Sequence, residues 1–396
     1  MGGYQARKVS STAELLSAAA DKTVREICVS GPLAGVPTLR LAPGQSLVGE
    51  SASARLAFAA GVDGVQLTRD NAVKALSLAT DVDRRAVFND TGQTTLGRIE
   101  LDDLQVVGVV QLLAADEVRA GHIEAHGIDI VAADARGYNR RPKGYGVEVI
   151  PGAFTLWNQH EEPAVTITAD LTGLSAGRAG APVRGSGLFV SGGGDGAGRM
   201  DVSRLVTGAV FSDGGIAPGT PDRITGGVFV VHGAFVGLVR NCGAVTTYGP
   251  NDMVLDNWGT VDRWIAGAKV TSHGPSGIGF VNFGAINQLD VQAPIETFGQ
   301  GARGFNVYAG AVGSAEFDRI VTHADGAVGL QISQPVGMIL VKRGVETFGS
   351  AGDSLVKGVV IRLSPIAFSI KPGGAVERAE IRGGRRLSDE IVGHVL

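Results

Sequence analysis

The stretch that decides the fold of this chain reads Val245-Thr-Thr-Tyr-Gly249, Val270-Thr-Ser-His-Gly274, Ile295-Glu-Thr-Phe-Gly299, Ile320-Val-Thr-His-Ala324 and Val345-Glu-Thr-Phe-Gly349. These five blocks recur every twenty-five residues without a shift in register. Internal repetition of this kind is typical of arrays in which each unit buries its apolar side against its neighbours. Each block is short, alternating and β-branched, which predicts a strand, and helical periodicity is missing from the region. The repeat therefore predicts one coil of a parallel β-helix.

The repeat also predicts which side chains lie above one another. The first position of each block is aliphatic and the third carries a hydroxyl group, so both are predicted to point inward. The fourth position points outward and forms what we call the aromatic strip: Tyr248, His273, Phe298, His323 and Phe348. A second strand is predicted through Leu255, Phe280, Phe305, Leu330 and Leu355, and a third through Val261 and Ile286. Coils of such a solenoid stack about 4.8 Å apart, so each of these columns is continuous.

Composition and the N-terminal sequence define the rest of the domain. Glycine accounts for 60 of the 396 residues, about twice the usual share of roughly 7%, which predicts many turns and little helix. The one convincing helix follows the capping box Ser11-Thr-Ala-Glu14, and we expect it to cover the first coil. We therefore predict a capping segment at residues 1–23 and a single solenoid over 24–396, because no linker divides the chain.

Three long segments interrupt the middle coils. Earlier copies of the first strand are predicted at Ile123, Ile167 and Val210, and earlier copies of the second strand at Val147, Leu188 and Val228. This alignment leaves lateral loops at residues 133–146, 172–187 and 212–227. Because all three leave the same corner of successive coils, they are expected to lie side by side and to form a wall beside the aromatic strip.

Two early segments resemble the opening coils of a known superfamily. They are Leu39-Arg-Leu-Ala-Pro-Gly-Gln-Ser-Leu-Val-Gly49 and Gly64-Val-Gln-Leu-Thr-Arg-Asp-Asn-Ala-Val73. Their pattern resembles the right-handed parallel β-helix proteins of the pectin-lyase-like superfamily. The resemblance implies a right-handed β-helix over nearly the whole chain, as the crossover rule for parallel strands also does. The Gly-His-Gly and Arg-x-Lys motifs of the pectin-degrading hydrolases are absent, so the resemblance supplies no catalytic signature.

Candidate site residues lie on the predicted wall and on the strip beside it. Basic and aromatic residues of the first loop, with two neighbours, are predicted to bind substrate: Tyr138, Arg140, Arg141, Lys143, Tyr145, Asp213 and Tyr248. A groove with this lining suits a polysaccharide or oligosaccharide, because aromatic faces stack on sugars and arginine binds carboxylates in pairs. The predicted catalytic residues are His273 as base, Arg303 as carboxylate clamp, Asp252 and His323.

Several functions remain open at this point. A polysaccharide lyase would use the base and the clamp for β-elimination, whereas a glycoside hydrolase would need two facing acidic groups. The alternative is a non-catalytic scaffold, adhesin-like or assembly protein that uses the aromatic strip as an interface, and a receptor-binding shaft is a third interpretation. The strip itself could equally be a stabilising stack, and the arginines of residues 136–143 a solvated loop.

Other partners and cofactors are not indicated. The net charge is −4 and the pI about 6.0, so there is no basic surplus for nucleic acid. The longest apolar run, Val106 to Ala115, is too short to span a membrane. His160-Glu-Glu162 lacks a further ligand at useful spacing, so neither a metal nor another cofactor is predicted. No signal peptide is visible, which predicts a cytoplasmic protein unless a signal was removed, and a homo-oligomer is compatible with the strip.

Overall fold

The computed structural model describes residues 5–356, 359–383 and 391–392 of the chain. Its strands form two long sheets of 22 and 15 strands and one two-stranded sheet. Nearly all pairings in the long sheets are parallel and join strands of successive coils. The described residues contain a single α-helix. The all-β parallel solenoid with one helix that the sequence predicts is therefore confirmed.

The N-terminal coils begin with an edge strand and the helix. In chain order they contain β1 (Gln5–Val9), α1 (Thr12–Ala20), β2 (Val24–Val29), β3 (Pro32–Val36), β4 (Leu39–Arg40), β5 (Ser46–Gly49), β6 (Arg55–Phe58), β7 (Val65–Leu67), β8 (Ala72–Ala79), β9 (Arg85–Asn89), β10 (Thr95–Val107), β11 (Val109–Ala114) and β12 (Ala120–Ala132). The hydroxyl oxygen of Ser11 accepts a hydrogen bond from the Glu14 amide at 3.3 Å and caps α1. Leu15, Ala18 and Ala19 are the buried residues of α1 and pack over the first coil.

The middle coils carry the irregular segments. They contain β13 (Lys143–Gly144), β14 (Val147–Val149), β15 (Gly152–Asn158), β16 (Thr166–Ala176), β17 (Val183–Arg184), β18 (Ser186–Ser191), β19 (Arg199–Asp213), β20 (Arg223–Val230) and β21 (Ala234–Asn241). Long strands such as β10 and β19 bend around a corner, so they belong to two sides of the solenoid at once.

The regular coils have three strands each. They are β22 (Val245–Thr247), β23 (Asp252–Asn257), β24 (Thr260–Ala266), β25 (Val270–Ser272), β26 (Ile278–Asn282), β27 (Ala285–Val291), β28 (Ile295–Thr297), β29 (Arg303–Val307), β30 (Ala311–Phe317), β31 (Ile320–Thr322), β32 (Val328–Ile332), β33 (Pro335–Val341) and β34 (Val345–Thr347). We call the side formed by β22, β25, β28, β31 and β34 face 1. The side with β23, β26, β29 and β32 is face 2, and the side with β24, β27, β30 and β33 is face 3.

The repeat predicts the vertical contacts of these coils correctly. Val245 pairs with Val270, and Leu255 pairs with Phe280, which in turn pairs with Phe305. These side chains are fully buried in one continuous apolar core. The hydroxyl column is buried as well, from Thr247 to Thr347, because its position in each block has the same parity as the aliphatic one.

The fifth coil departs from the prediction. The repeat predicts that Leu355 continues the second-strand column, but Leu330 pairs with Phe368 instead. Between β34 and the strand of Phe368, the chain forms an antiparallel hairpin of β35 (Gly352–Val356) and β36 (Val359–Leu363), which lies over the outside of face 2. The solenoid then resumes with β37 (Ile366–Ile370), β38 (Ala375–Ile381) and β39 (Ile391–Val392). The twenty-five-residue spacing of Leu355 is therefore coincidental.

The middle coils also need correction. Ile130, Ala176 and Val210 lie in the column of Val245, whereas Ile123 lies on face 3 in the column of Val236. The prediction erred because β12 and β16 run through two sides of the solenoid. The second-strand copy in the first of these coils is Phe154, which pairs with Leu188, and Val147 belongs to the insertion instead.

The lateral loops change accordingly. Strand β16 continues to Ala176 and β19 to Asp213, so the second and third loops are shorter than residues 172–187 and 212–227. The first is longer than residues 133–146, because the chain returns to the stack only at Gly152. We call residues 133–151 the lateral insertion. Its strand β14 pairs with β20, so the insertion runs along the outside of face 2 and past the neighbouring coil.

Candidate functional site

The aromatic strip is a continuous ring stack. Its five rings lie at centroid separations of 5.2, 5.2, 4.5 and 5.7 Å from Tyr248 to Phe348, and neighbouring planes are inclined by only 2° to 15°. The stacking follows from the register, which brings residues twenty-five apart onto adjacent coils. Each inner ring therefore has both faces covered by its neighbours. A ligand approaching the strip from the side meets ring edges, so the strip does not offer stacked sugar platforms along its length.

The predicted base and its acidic partner do not meet. Asp252 is fully buried and accepts hydrogen bonds from the Thr225 hydroxyl, the Gly249 amide at 2.7 Å and the Gly214 amide at 3.1 Å. His273 lies on the exposed strip, where partial burial and the charge of Lys269 lower its pKa. Among the described residues no hydrogen bond joins His273 to Asp252. The His323 ring is likewise held between two phenylalanine rings.

Burial of Asp252 should make the protein more stable in mild acid. Burial raises the pKa of Asp252 from 3.8 to about 6 in the folded state. The folded state then binds a proton more tightly than the unfolded chain, so this contribution to stability is present at low pH and is lost as the pH rises through 6. Between pH 7 and pH 5 the free energy of unfolding should rise by about 1 kcal/mol from this residue.

Urea unfolding of the wild type and of Asp252→Asn at both pH values measures this effect. The asparagine variant does not titrate, whereas the other ionisable groups are common to both proteins. The difference between the two unfolding free energies should therefore shift in favour of the wild type at pH 5. A difference that is the same at pH 5 and pH 7 would show that Asp252 does not titrate in this range.

Arg303 lies far from the position expected of a clamp beside His273. It points outward from face 2 beneath the hairpin and is 1% exposed. Its guanidinium donates to the carbonyl oxygens of Gly301 and Leu355 and to the hydroxyl of Ser354, at 3.2, 3.4 and 3.0 Å. The four predicted catalytic residues are thus distributed over the exposed strip, a buried corner and the space under the hairpin.

Most charges of the predicted basic wall are neutralised locally. Lys143 and Arg141 lie 2.9 and 3.9 Å from Glu148, and Arg184 pairs with Asp213. The hydrogen bond and charge of Lys143 lower the pKa of Glu148. Arg140 differs, because its guanidinium donates to the Gln159 side chain at 2.8 Å and has no carboxylate partner among the described residues.

The lateral insertion covers a row of aromatic side chains on face 2. Trp157, Phe189, Phe229 and Trp258 touch edge to face, with centroid separations of 5.9, 6.2 and 5.2 Å. Tyr138 contacts one end of this row and Tyr145 the other, at 6.4 and 5.1 Å. The insertion is therefore fixed to the solenoid along its length, and a cavity opens on either side of it.

The N-terminal cavity is polar, and we call it the polar cleft. It consists of two adjoining cavities of about 190 and 390 Å³ that share Arg85, Gln111 and Tyr138. Phe88, Asp90, Asp116, Arg140 and Gln159 are among the further residues that line the larger one. Tyr138 and Arg140, two of the predicted substrate-binding residues, line this cleft, whereas Tyr145 lines the cavity on the other side. None of the four predicted catalytic residues lines the polar cleft.

Gln111 is the most informative residue of the polar cleft. The residue is 4% exposed, and its side-chain amide makes no hydrogen bond within the described residues. The amide is not among the buried polar atoms that lack a partner, so it faces the cleft. An unpaired amide that faces a cavity has donors and an acceptor available for a polar ligand or for water. Tyr138 accepts a hydrogen bond from Gln159 at 3.2 Å, which leaves its own hydroxyl hydrogen available.

The charges at the ends of the cleft are held in place. Partial burial of Asp90 opposes its ionisation, but hydrogen bonds from Arg40, Gly92 and Gln93 lower its pKa overall. Asp116 accepts a hydrogen bond from the Thr91 hydroxyl at 2.6 Å. The Arg85 guanidinium lies 4.0 Å from the centroid of the Phe88 ring and covers that face.

The sequence did not identify the floor of this cleft. Gln66, Phe88 and Gln111 form one outward column of face 2 in the early coils. Their spacing is shorter than twenty-five residues, so the regular repeat does not align them. Only the alternation of each short strand, combined with the pairing of β7, β9 and β11, could have brought them together.

Comparisons with known proteins gave no relative. No protein-family model, no curated protein and no solved structure matches the chain. Within the described ranges no group of three or more histidine, cysteine or acidic side chains could hold a metal ion. The helix found there is too short to cross a membrane.

Proposed function

We propose that this chain is a carbohydrate-binding β-helix protein and that the polar cleft holds part of a polysaccharide or oligosaccharide. The observation that carries the proposal is the unpaired amide of Gln111, which faces the cleft from a residue that is only 4% exposed. An amide supplies both donors and acceptors, and the cleft adds the hydroxyl of Tyr138 and the guanidinium of Arg140. Such a set of polar groups suits a ligand that is rich in hydroxyl groups.

We propose binding rather than cleavage by the four predicted catalytic residues. A lyase or hydrolase needs its base and acid at the ligand, but His273, His323, Asp252 and Arg303 lie outside the polar cleft. Arg140 lacks a carboxylate partner in the described part of the chain, which favours an acidic sugar over a neutral one. The carboxylates of Asp90 and Asp116 favour a neutral sugar instead. Binding of neutral and of uronate oligosaccharides therefore has to be compared.

Removing the Gln111 side chain should weaken sugar binding about tenfold, which is the loss of one or two well-placed hydrogen bonds. Binding is measured by calorimetry with the best ligand from a panel of neutral and uronate oligosaccharides. Gln111→Ala gives up no hydrogen bond within the protein, so the fold should be unaffected. Gln331→Ala is the control for removing a buried, outward-pointing glutamine of face 2 outside the cleft. Because Gln331 also gives up hydrogen bonds with Arg303 and Asn306, folding of this variant is checked in parallel, and its sugar affinity should equal that of the wild type. Equal affinity of Gln111→Ala and the wild type would refute the proposed site.

The alternative is a non-catalytic assembly protein that uses the aromatic strip as its interface. The observation in its favour is the exposure of Phe298 and Phe348, at 41% and 36%. A stable dimer or trimer in light scattering that dissociates in Phe298→Ser, together with no binding across the sugar panel, would replace carbohydrate binding by this function. A monomer that binds sugar would exclude it.

A further inference from the structure

A second cavity lies on the other side of the lateral insertion, and its chemistry differs from that of the polar cleft. The insertion forms one wall with Tyr145 and Val147, and the hairpin forms the opposite wall with Leu355. Met253, Ile278, Phe283 and Tyr308 are the main side chains of its floor on face 2. We call this space, of about 270 Å³, the apolar cavity.

Its aromatic lining is partly preorganised. Trp258, Phe283 and Tyr308 occupy the same corner of three successive coils, and Phe283 stacks between Tyr145 and Tyr308 at 4.5 and 5.2 Å. In the next coil Ser333 takes the place of the aromatic residue. The column of rings thus ends at Tyr308, whose second face is not covered by another ring among the described residues. An apolar ligand in the cavity can therefore contact the aliphatic side chains of the floor as well as the ring of Tyr308.

One wall of the apolar cavity carries a buried positive charge. Arg303 is the one arginine among the described residues that is buried, and no carboxylate there pairs with it. Its partners are neutral: Gln331, Gly301, Leu355 and Ser354, at distances of 3.0 to 3.4 Å. These contacts use four of the five N–H groups of a guanidinium and leave one on Nη2.

A buried charge without a counter-charge is costly, because neutral dipoles replace only part of its hydration. By contrast, Arg136 and Arg319, which are only partly buried, have carboxylate partners in Asp134 and Glu346. Arg303 therefore has unused capacity for an anion, and it lines a cavity whose other walls are mostly apolar. A sugar would leave many of its hydroxyl groups unpaired there.

We propose that the apolar cavity is a second binding site, for a small organic acid that combines a ring or short apolar chain with one carboxylate paired to Arg303. The volume is adequate, because a cavity of about 150 Å³ already holds benzene. The apolar body lies against Ile278, Phe283 and Tyr308, and the carboxylate meets the free N–H of the guanidinium. This site is independent of the sugar site, since the two cavities share no lining residue.

The test compares 2-naphthoate with its uncharged carboxamide by calorimetry on the whole chain. We expect the wild type to bind the carboxylate at least tenfold more tightly than the carboxamide. Ala309→Trp places a large side chain in the cavity and should abolish binding of both compounds. Ala52→Trp adds the same side chain at an exposed turn near the N-terminus and should leave the affinity for both compounds unchanged.

Arg303→Met is the second variant to test. Amide hydrogen exchange of the hairpin shows whether the hairpin stays folded in this variant. In a folded variant the preference for the carboxylate should vanish while the carboxamide still binds. Equal affinity of the two compounds for the wild type, no binding of 2-naphthoate at millimolar concentration, or unchanged binding in Ala309→Trp would each overturn the proposal. Gln111→Ala should bind 2-naphthoate and its carboxamide as the wild type does. Each of the two proposed sites can therefore be refuted without affecting the other.

Discussion

Replacing Phe305 with alanine is expected to lower the free energy of unfolding by about 3–5 kcal/mol. The ring is fully buried inside the solenoid, where its centroid lies 6.0 Å from that of Phe280 on the adjacent coil and 4.8 Å from that of Phe317. The coils above and below are each held to the coil of Phe305 by strand pairing, so they cannot close around the space that the ring leaves. Urea unfolding measured by tryptophan fluorescence reports the loss.

Phe298→Ala is the matched control for this prediction. Phe298 belongs to the same coil but lies on the outer strip, where it is 41% exposed and stacked between two histidine rings at 5.2 and 4.5 Å. Truncation there removes ring stacking without opening a cavity, and should cost about 1 kcal/mol. Similar losses in the two variants would mean that the interior column carries no more stability than the surface stack.

The second large effect is expected for Gly310→Ala, at a turn between face 2 and face 3. Gly310 has a φ of +67°, and a methyl group there would overlap the carbonyl oxygen of Gly284 on the coil below. The strained backbone and the forced separation of two coils should together cost roughly 3 kcal/mol or more. The midpoint of urea unfolding and the yield of folded protein measure the change.

Gly61→Ala separates the two contributions. Gly61 has a similar φ of +75°, but no atom outside the adjacent residues lies within 4 Å of the added methyl group. The variant therefore incurs only the conformational cost of a left-handed residue, about 1–2 kcal/mol. If both variants lose the same stability, close stacking of the coils does not constrain Gly310.

The two proposed sites owe their position to the same structural feature. Both cavities form on face 2, where an added segment lies against the coils of the solenoid. Here the lateral insertion crosses face 2 and leaves the polar cleft on one side and the apolar cavity on the other, which the hairpin closes further. Anchoring through Trp157 and Trp258 keeps both walls fixed. Variants that loosen these anchors should therefore affect both sites, unlike Gln111→Ala or Ala309→Trp.

The repeat determined the regular part of the fold without help from the structure. In a solenoid each coil contacts mainly its two neighbours, so a constant period fixes the pairing, the interior columns and the outer strip together. This is why the stack of Tyr248, His273 and Phe298 and the burial of Phe280 and Phe305 agree with the prediction. The helix was likewise readable from its local capping sequence.

Only the tertiary structure decided where the irregular segments go. Leu355 keeps the twenty-five-residue spacing of its column, yet these residues leave the stack as a hairpin, and Phe368 and its strand take the place in the stack. Nothing local to Arg303 or Gln111 marks them as buried, since their burial comes from segments that lie over face 2. Periodicity encodes contacts between equivalent residues of adjacent coils, whereas the walls of both cavities depend on contacts between residues that have no equivalent position in the repeat.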